Sequence, residues 1–104
     1  MRLDKTLHYS IGIVVPADKV SKDFEWDLAN VAGGYTRHTG DGMWEGAHGP
    51  CSESVYVYKV YCERNSREAV DLAIIISNFA RLLLAGGEKS VMTLEQDTAY
   101  FWVA

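Results

Sequence analysis

An α+β fold follows from three observations on this 104-residue chain. Two runs, HYSIGIVV and SVYVYKVYCE, are filled with β-branched and aromatic residues and read as strands. Two others, SKDFEWDLANVAGG and RNSREAVDLAIIISNFARLLLAGG, carry apolar residues at helical spacing between a polar start and a glycine stop. Strand and helix signals alternate along the chain without a repeat, linker or low-complexity stretch, so residues 1–104 form a single domain. An apolar content of 48% and a charged content of 23% are those of an ordinary globular protein.

The first strand spans about residues 8–15. Ile11, Ile13 and Val15 alternate with Ser10, Gly12 and Val14, and Pro16 closes the run. The first helix runs from about 21 to 31. Ser21 is placed to cap it, Asp23 and Glu25 suit the positive end of its dipole, Phe24, Leu28 and Val31 share a face, and Gly33-Gly34 ends it. Residues 35–63 read as a long hairpin with its tip at AHGP and a kink or bulge near Gly40–Gly42. With the tip there, Trp44 opposes Glu53. In the second helix Asn65 and Glu68 match capping-box spacing. That helix is apolar over most of its girth. Val70, Ala73, Ile74 and Ser77 make one stripe, and Leu72, Ile75, Ile76, Phe79 and Leu83 spread beyond it, so burial on more than one side is expected. The tail SVMTLEQDTAYFWVA is two short strand arms around residues 96–98 or one strand with a bulge. The order β-α-β-β-α-β is the ferredoxin-like pattern, an antiparallel sheet with both helices on one face. Its second face is left open, and a second subunit, most simply in a dimer, is expected to cover it.

Charge and cysteine usage narrow the function classes. A net charge of −4 is a poor match to a protein that neutralises many phosphates, so no long nucleic acid is expected as partner. The longest apolar stretch, near residues 69–85, is broken by Asp71, Ser77, Asn78 and Arg81, and MRLDKTLHYS lacks a signal-peptide core. The expectation is a cytoplasmic protein without membrane contact. Cys51 and Cys62 on one strand would lie about 36 Å apart, too far for a bridge, and free thiols fit a reducing compartment.

The stretch GGYTRHTGDGMWEG, residues 33–46, holds five of the nine glycines and is the expected place for a site. It lacks the lysine and following helix of a phosphate loop and the spacing of a dinucleotide fingerprint. His38, Asp41, His48, Cys51 and Glu53 include no ligand pair at zinc spacing, so no metal and no cofactor is expected. Thr36, Arg37, His38, Trp44, Glu53 and Tyr56 remain as a candidate surface for a small nucleotide-like ligand. Glycines allow close backbone approach, the indole offers a stacking face, and arginine can pair with phosphate. Trp44 is expected at the edge of a cavity near Thr36 and Glu53.

Gly33, Gly34, Thr36, Gly42, Trp44 and Glu53 together resemble a hairpin pattern, GG-x-T, then G-x-W, then an acidic residue on the next strand, found in small proteins of phages and bacteria. The match covers residues 33–57. The resemblance implies a ferredoxin-like fold and a phage origin, and no settled activity. Three functional readings follow. The leading one is a non-enzymatic accessory protein, phage-encoded, that captures a small nucleotide-like ligand or a host protein. A second is a small enzyme using His38 and Glu53 for proton transfer. The third is an oligomerising structural protein without a ligand site.

Overall fold

The computed structural model describes residues 3, 6–96 and 98–104, with Trp44 described by its backbone alone. Strand β1 (Tyr9–Pro16) leads through a 3₁₀ turn, Ala17–Lys19, to helix α1 (Lys22–Ala32). A hairpin of β2 (Thr36–Gly46) and β3 (Gly49–Cys62) follows, then helix α2 (Arg67–Ala85), β4 (Ser90–Glu95) and β5 (Thr98–Val103). The five strands form one sheet in the order β2-β3-β1-β4-β5, and every pairing is antiparallel. The expected α+β class with two helices and an antiparallel sheet is present. The tail resolves as two strands, so the sheet has one more strand than the β-α-β-β-α-β order supplies.

Local chemistry accounts for the boundaries. Ser21 Oγ accepts from the Phe24 N–H at 3.2 Å, and Gly33 ends α1 in the left-handed region at φ 77°. The cap of α2 is Ser66, not Asn65. Ser66 Oγ accepts from the Ala69 N–H at 3.0 Å, while Asn65 takes φ 60° in the preceding turn. Asparagine tolerates that left-handed conformation, which frees the serine next to it to cap. The hairpin also differs from expectation. Its loop is Ala47-His48, closed by Gly46 opposite Gly49, and the pairing runs unbroken to Thr36 opposite Lys59 without a bulge. The tip is therefore tighter by two residues. Gly42, not Trp44, stands opposite Glu53, and Trp44 pairs with Cys51.

One face of the sheet carries the core. Ile11, Ile13, Tyr58 and Val60 from the central strands meet Phe24 and Leu28 of α1 and Leu72, Ile76 and Phe79 of α2 in one buried cluster. Phe24 stacks on Phe79 at 4.1 Å between centroids and meets Tyr58 edge-on at 5.4 Å, so one ring ties both helices to the sheet. The large residues of α2 face this core, while Val70, Ile74 and Leu82 lie exposed on its outer side. Among the strand aromatics, Tyr56, Tyr58, Tyr100 and Trp102 alternate onto the helix side, and Tyr61 and Phe101 onto the open side. Both cysteines are free. Cys51 is exposed and Cys62 is buried, with its thiol pushed up by burial and then by nearby Glu68, as for an inert core thiol. No helix among the described residues is long and apolar enough to cross a membrane.

Candidate functional site

The residues singled out in the sequence do not form one cluster, although Arg37 and Tyr56 meet. Pairing alternation places Thr36, His38 and Glu53 on the open face of the sheet and Arg37 and Tyr56 on the helix face. Thr36 and Trp44 lie eight residues apart along β2, about 26 Å. His38 stands opposite Val57, whereas Glu53 stands opposite Gly42, a separation of four strand positions or about 13 Å. That distance is beyond the reach of a direct His–Glu proton relay. The Trp44 side chain lies outside the described residues. Thr36 and His38 are exposed. Among the described residues no group of three or more His, Cys, Asp or Glu side chains is placed to hold a metal ion.

Arg37 and Glu53 have electrostatic surroundings of their own. Arg37 Nη1 donates to Glu25 Oε2 at 2.6 Å, and its guanidinium lies 4.5 Å over the Tyr56 ring. Tyr58 Oη donates to the same carboxylate oxygen at 2.7 Å. Burial pushes the Glu25 carboxyl up, but hydrogen bonds from Tyr58 and Arg37, together with the Arg37 charge, outweigh it and hold the group below its usual range. This network joins α1 to the hairpin and occupies Arg37. Glu53 has the opposite shift. Burial, and then the charges of Glu88 and Asp18 at the same end of the sheet, raise its pKa.

The best-formed concavity lies elsewhere, where the sheet extends past α2 toward β5. It is a groove of about 450 Å³, within the usual range for small-molecule sites. Its roof is the α2 face bearing Ala73, Ser77, Ala80 and Arg81, and its floor is built from Tyr9 and Ile11 of β1, Thr93 and Glu95 of β4, and Tyr100 and Trp102 of β5. The space exists because α2 turns three small residues at helical spacing toward this end of the sheet. The aromatic floor exists because strand alternation brings Tyr100 opposite Thr93 and Trp102 opposite Val91 onto the helix side. Trp102 Nε1 donates to Thr93 Oγ1 at 2.8 Å, which fixes the indole plane. Tyr9 is held under the Arg64 guanidinium at 4.5 Å, and its hydroxyl pKa is raised by burial and then by the neighbouring Glu95 carboxylate. The groove thus combines aromatic faces, a carboxylate on the floor and a guanidinium at the rim.

The sequence contained the signals for this groove. Ala73 and Ser77 belong to the α2 stripe noted above, and Tyr100 and Trp102 alternate along the tail. What was missing was the long-range pairing that brings β5 under α2.

No family model matches the chain, and no curated protein matches it. Two solved structures do. A phage SAM lyase in complex with S-methyl-5'-thioadenosine matches with a TM-score of 0.62 at 16% identity, covering 99% of this chain and 97% of that one. A phage SAM lyase in the apo state matches with a TM-score of 0.63 at 15% identity, covering 100% of this chain and 95% of that one. At such identities the likeness is one of fold, and it covers at least 95% of each chain.

Proposed function

We propose that this chain is a phage-borne SAM-directed lyase that binds SAM in the α2–β5 groove and releases S-methyl-5'-thioadenosine. The observation that carries the reading is the coincidence of an end-to-end fold likeness to phage SAM lyase with a groove whose chemistry suits that ligand. Tyr100 and Trp102 offer faces on which an adenine ring stacks. Those faces and the Glu95 carboxylate suit a sulfonium cation. When the ligand's own carboxylate oxygen displaces the sulfonium from the amino-acid carbon, a C–O bond forms as the C–S bond breaks, the electron pair returns to sulfur and abolishes its charge, and the amino-acid part leaves as a lactone. A largely apolar, aromatic groove favours that loss of charge more than water does.

A second reading, capture without turnover, has its own support. A carboxylate facing the sulfonium stabilises the charged ground state more than a transition state in which that charge is fading. Glu95 therefore favours holding SAM over cleaving it. The two readings separate in one experiment. Purified protein is incubated with SAM, and nucleosides are followed by liquid chromatography with mass spectrometry. Under the lyase reading S-methyl-5'-thioadenosine accumulates over many turnovers, and a Tyr100→Ala/Trp102→Ala variant with an unchanged circular dichroism spectrum forms none. SAM recovered unchanged in a stoichiometric complex selects capture. Absence of both product and complex refutes the groove as a SAM site.

The strand order β2-β3-β1-β4, with helices as the two crossovers, supports a ferredoxin-like core to which β5 has been added. Exposed Val70, Ile74 and Leu82 on α2, with Phe101 and Val103 on the open side of the sheet, support a homo-oligomer, a dimer first. The host cytoplasm is the compartment in which such a protein meets SAM.

A further inference from the structure

We propose that Arg81 and Glu95 form a charge-reading pair that recognises the charged groups SAM carries and its thioether product lacks, Arg81 the carboxylate and Glu95 the sulfonium, so that the groove retains SAM and lets S-methyl-5'-thioadenosine go. This rests on the reading of the groove as a SAM site and adds the residues that set its selectivity.

The two charges stand on opposite walls of the same groove, Arg81 on α2 and Glu95 on β4. Among the described residues neither has an ion-pair partner. The ion pairs there are Arg37–Glu25 and Arg67–Asp71. Arg81 Nη1 donates only to the neutral Asn78 Oδ1, at 3.2 Å, which steadies the guanidinium without neutralising it. An unpaired guanidinium offers paired donors to a carboxylate. A carboxylate beside the Tyr9 hydroxyl, with no cation on it among the described residues, attracts one. SAM carries a carboxylate, an ammonium and a sulfonium. Its thioether product carries none of these and shares with it the adenine, the ribose, the sulfur and the methyl group on sulfur. Shared parts can be held by Tyr100 and Trp102 in both molecules, so discrimination between them falls to the two charges.

Binding is measured by isothermal titration calorimetry with two ligands. One is a SAM analogue whose sulfonium is replaced by a carbon bearing a protonated amine, which keeps the charge and resists C–S cleavage. The other is S-methyl-5'-thioadenosine. The wild type is expected to prefer the charged analogue at least tenfold at low salt, with the preference shrinking as ionic strength rises. Glu95→Gln and Arg81→Gln are each expected to cut that preference several-fold while leaving the thioether affinity unchanged, which also shows that the variants are folded. An unchanged preference in both variants overturns the charge-reading role and leaves the groove assignment standing. Failure of the wild type to bind either ligand overturns both.

Discussion

Replacing Gly12 by alanine tests the geometry of the sheet at its centre. Gly12 sits in β1, flanked by β3 and β4, and pairs with Lys59 and Leu94. A Cβ built on it would lie 2.1 Å from the Tyr58 carbonyl oxygen. A relaxed carbon–oxygen contact needs about 3.3 Å, so about 1.2 Å must be found by moving backbone. The obstructing atom belongs to a strand clamped on both sides, and its own side chain is part of the Glu25 network. Alanine normally gains about 0.4–1 kcal/mol over glycine by restricting the unfolded chain. Overpacking against fixed backbone costs about 1–3 kcal/mol or more. The clash wins, and a net loss of about 2 kcal/mol lowers Tm by roughly 8–16 °C for a domain of this size. Gly34→Ala is the control, since an added Cβ there meets nothing within 4 Å and its φ is not positive. It should melt at or slightly above the wild type. Thermal denaturation followed by circular dichroism measures both, and a Gly12→Ala variant melting with the wild type would refute the close approach of β1 to β3.

Two further outcomes follow from the carboxylates. Tyr58→Phe removes one donor to Glu25 and should cost about 1.5 kcal/mol at neutral pH in urea unfolding. The folded pKa of Glu25 is depressed, so its contribution is present above the unfolded value and lost as pH falls through the folded one; a cost that persists undiminished in acid would contradict the network. Glu53 has the reverse sign. Its folded pKa is raised, so folding carries a penalty that appears as pH rises above the unfolded value. Glu53→Gln should raise Tm at pH 7 and lose that advantage near pH 4, and a lower Tm at pH 7 would count against the assigned environment.

Legibility in the sequence followed the range of the interactions. Ser21, Gly33 and the Phe24–Leu28 face act within a turn or two of helix, and α1 formed where they indicated. The alternation in β3 was equally local. Register was not. A glycine-rich β2 offers little side-chain alternation to fix its pairing, so the spacing suggests a tip two residues longer than the one formed, which keeps the faces but puts Trp44 instead of Gly42 opposite Glu53. The cap of α2 turned on which of two adjacent polar residues accepts a left-handed backbone, and the capping-box spacing of Asn65 pointed to the wrong one. The groove depends on β5 pairing with β4 and on β4 pairing with β1 at the other end of the chain, contacts that no local pattern fixes. The hairpin's unusual residues cluster in sequence, whereas the groove gathers residues from β1, α2, β4 and β5.

Gln96, at the turn into β5, acts as a pin between that turn and β1. It adopts φ 54°, its backbone N–H donates to the Ser10 carbonyl, and its side chain accepts from the Ser10 N–H at 3.0 Å and donates to the His8 carbonyl at 2.7 Å. A side-chain amide there does for β1 what the next peptide of a strand would do. Beyond that pin, β5 is held in the sheet through β4 alone, and all six of its residues are exposed. The buried cluster contains no residue of β5, so the strand that lines the groove opens at lower cost than the central strands. Any molecule stacked on Tyr100 and Trp102 would spend part of its binding free energy holding that strand down, and its binding would show as added protection of β5 from hydrogen exchange.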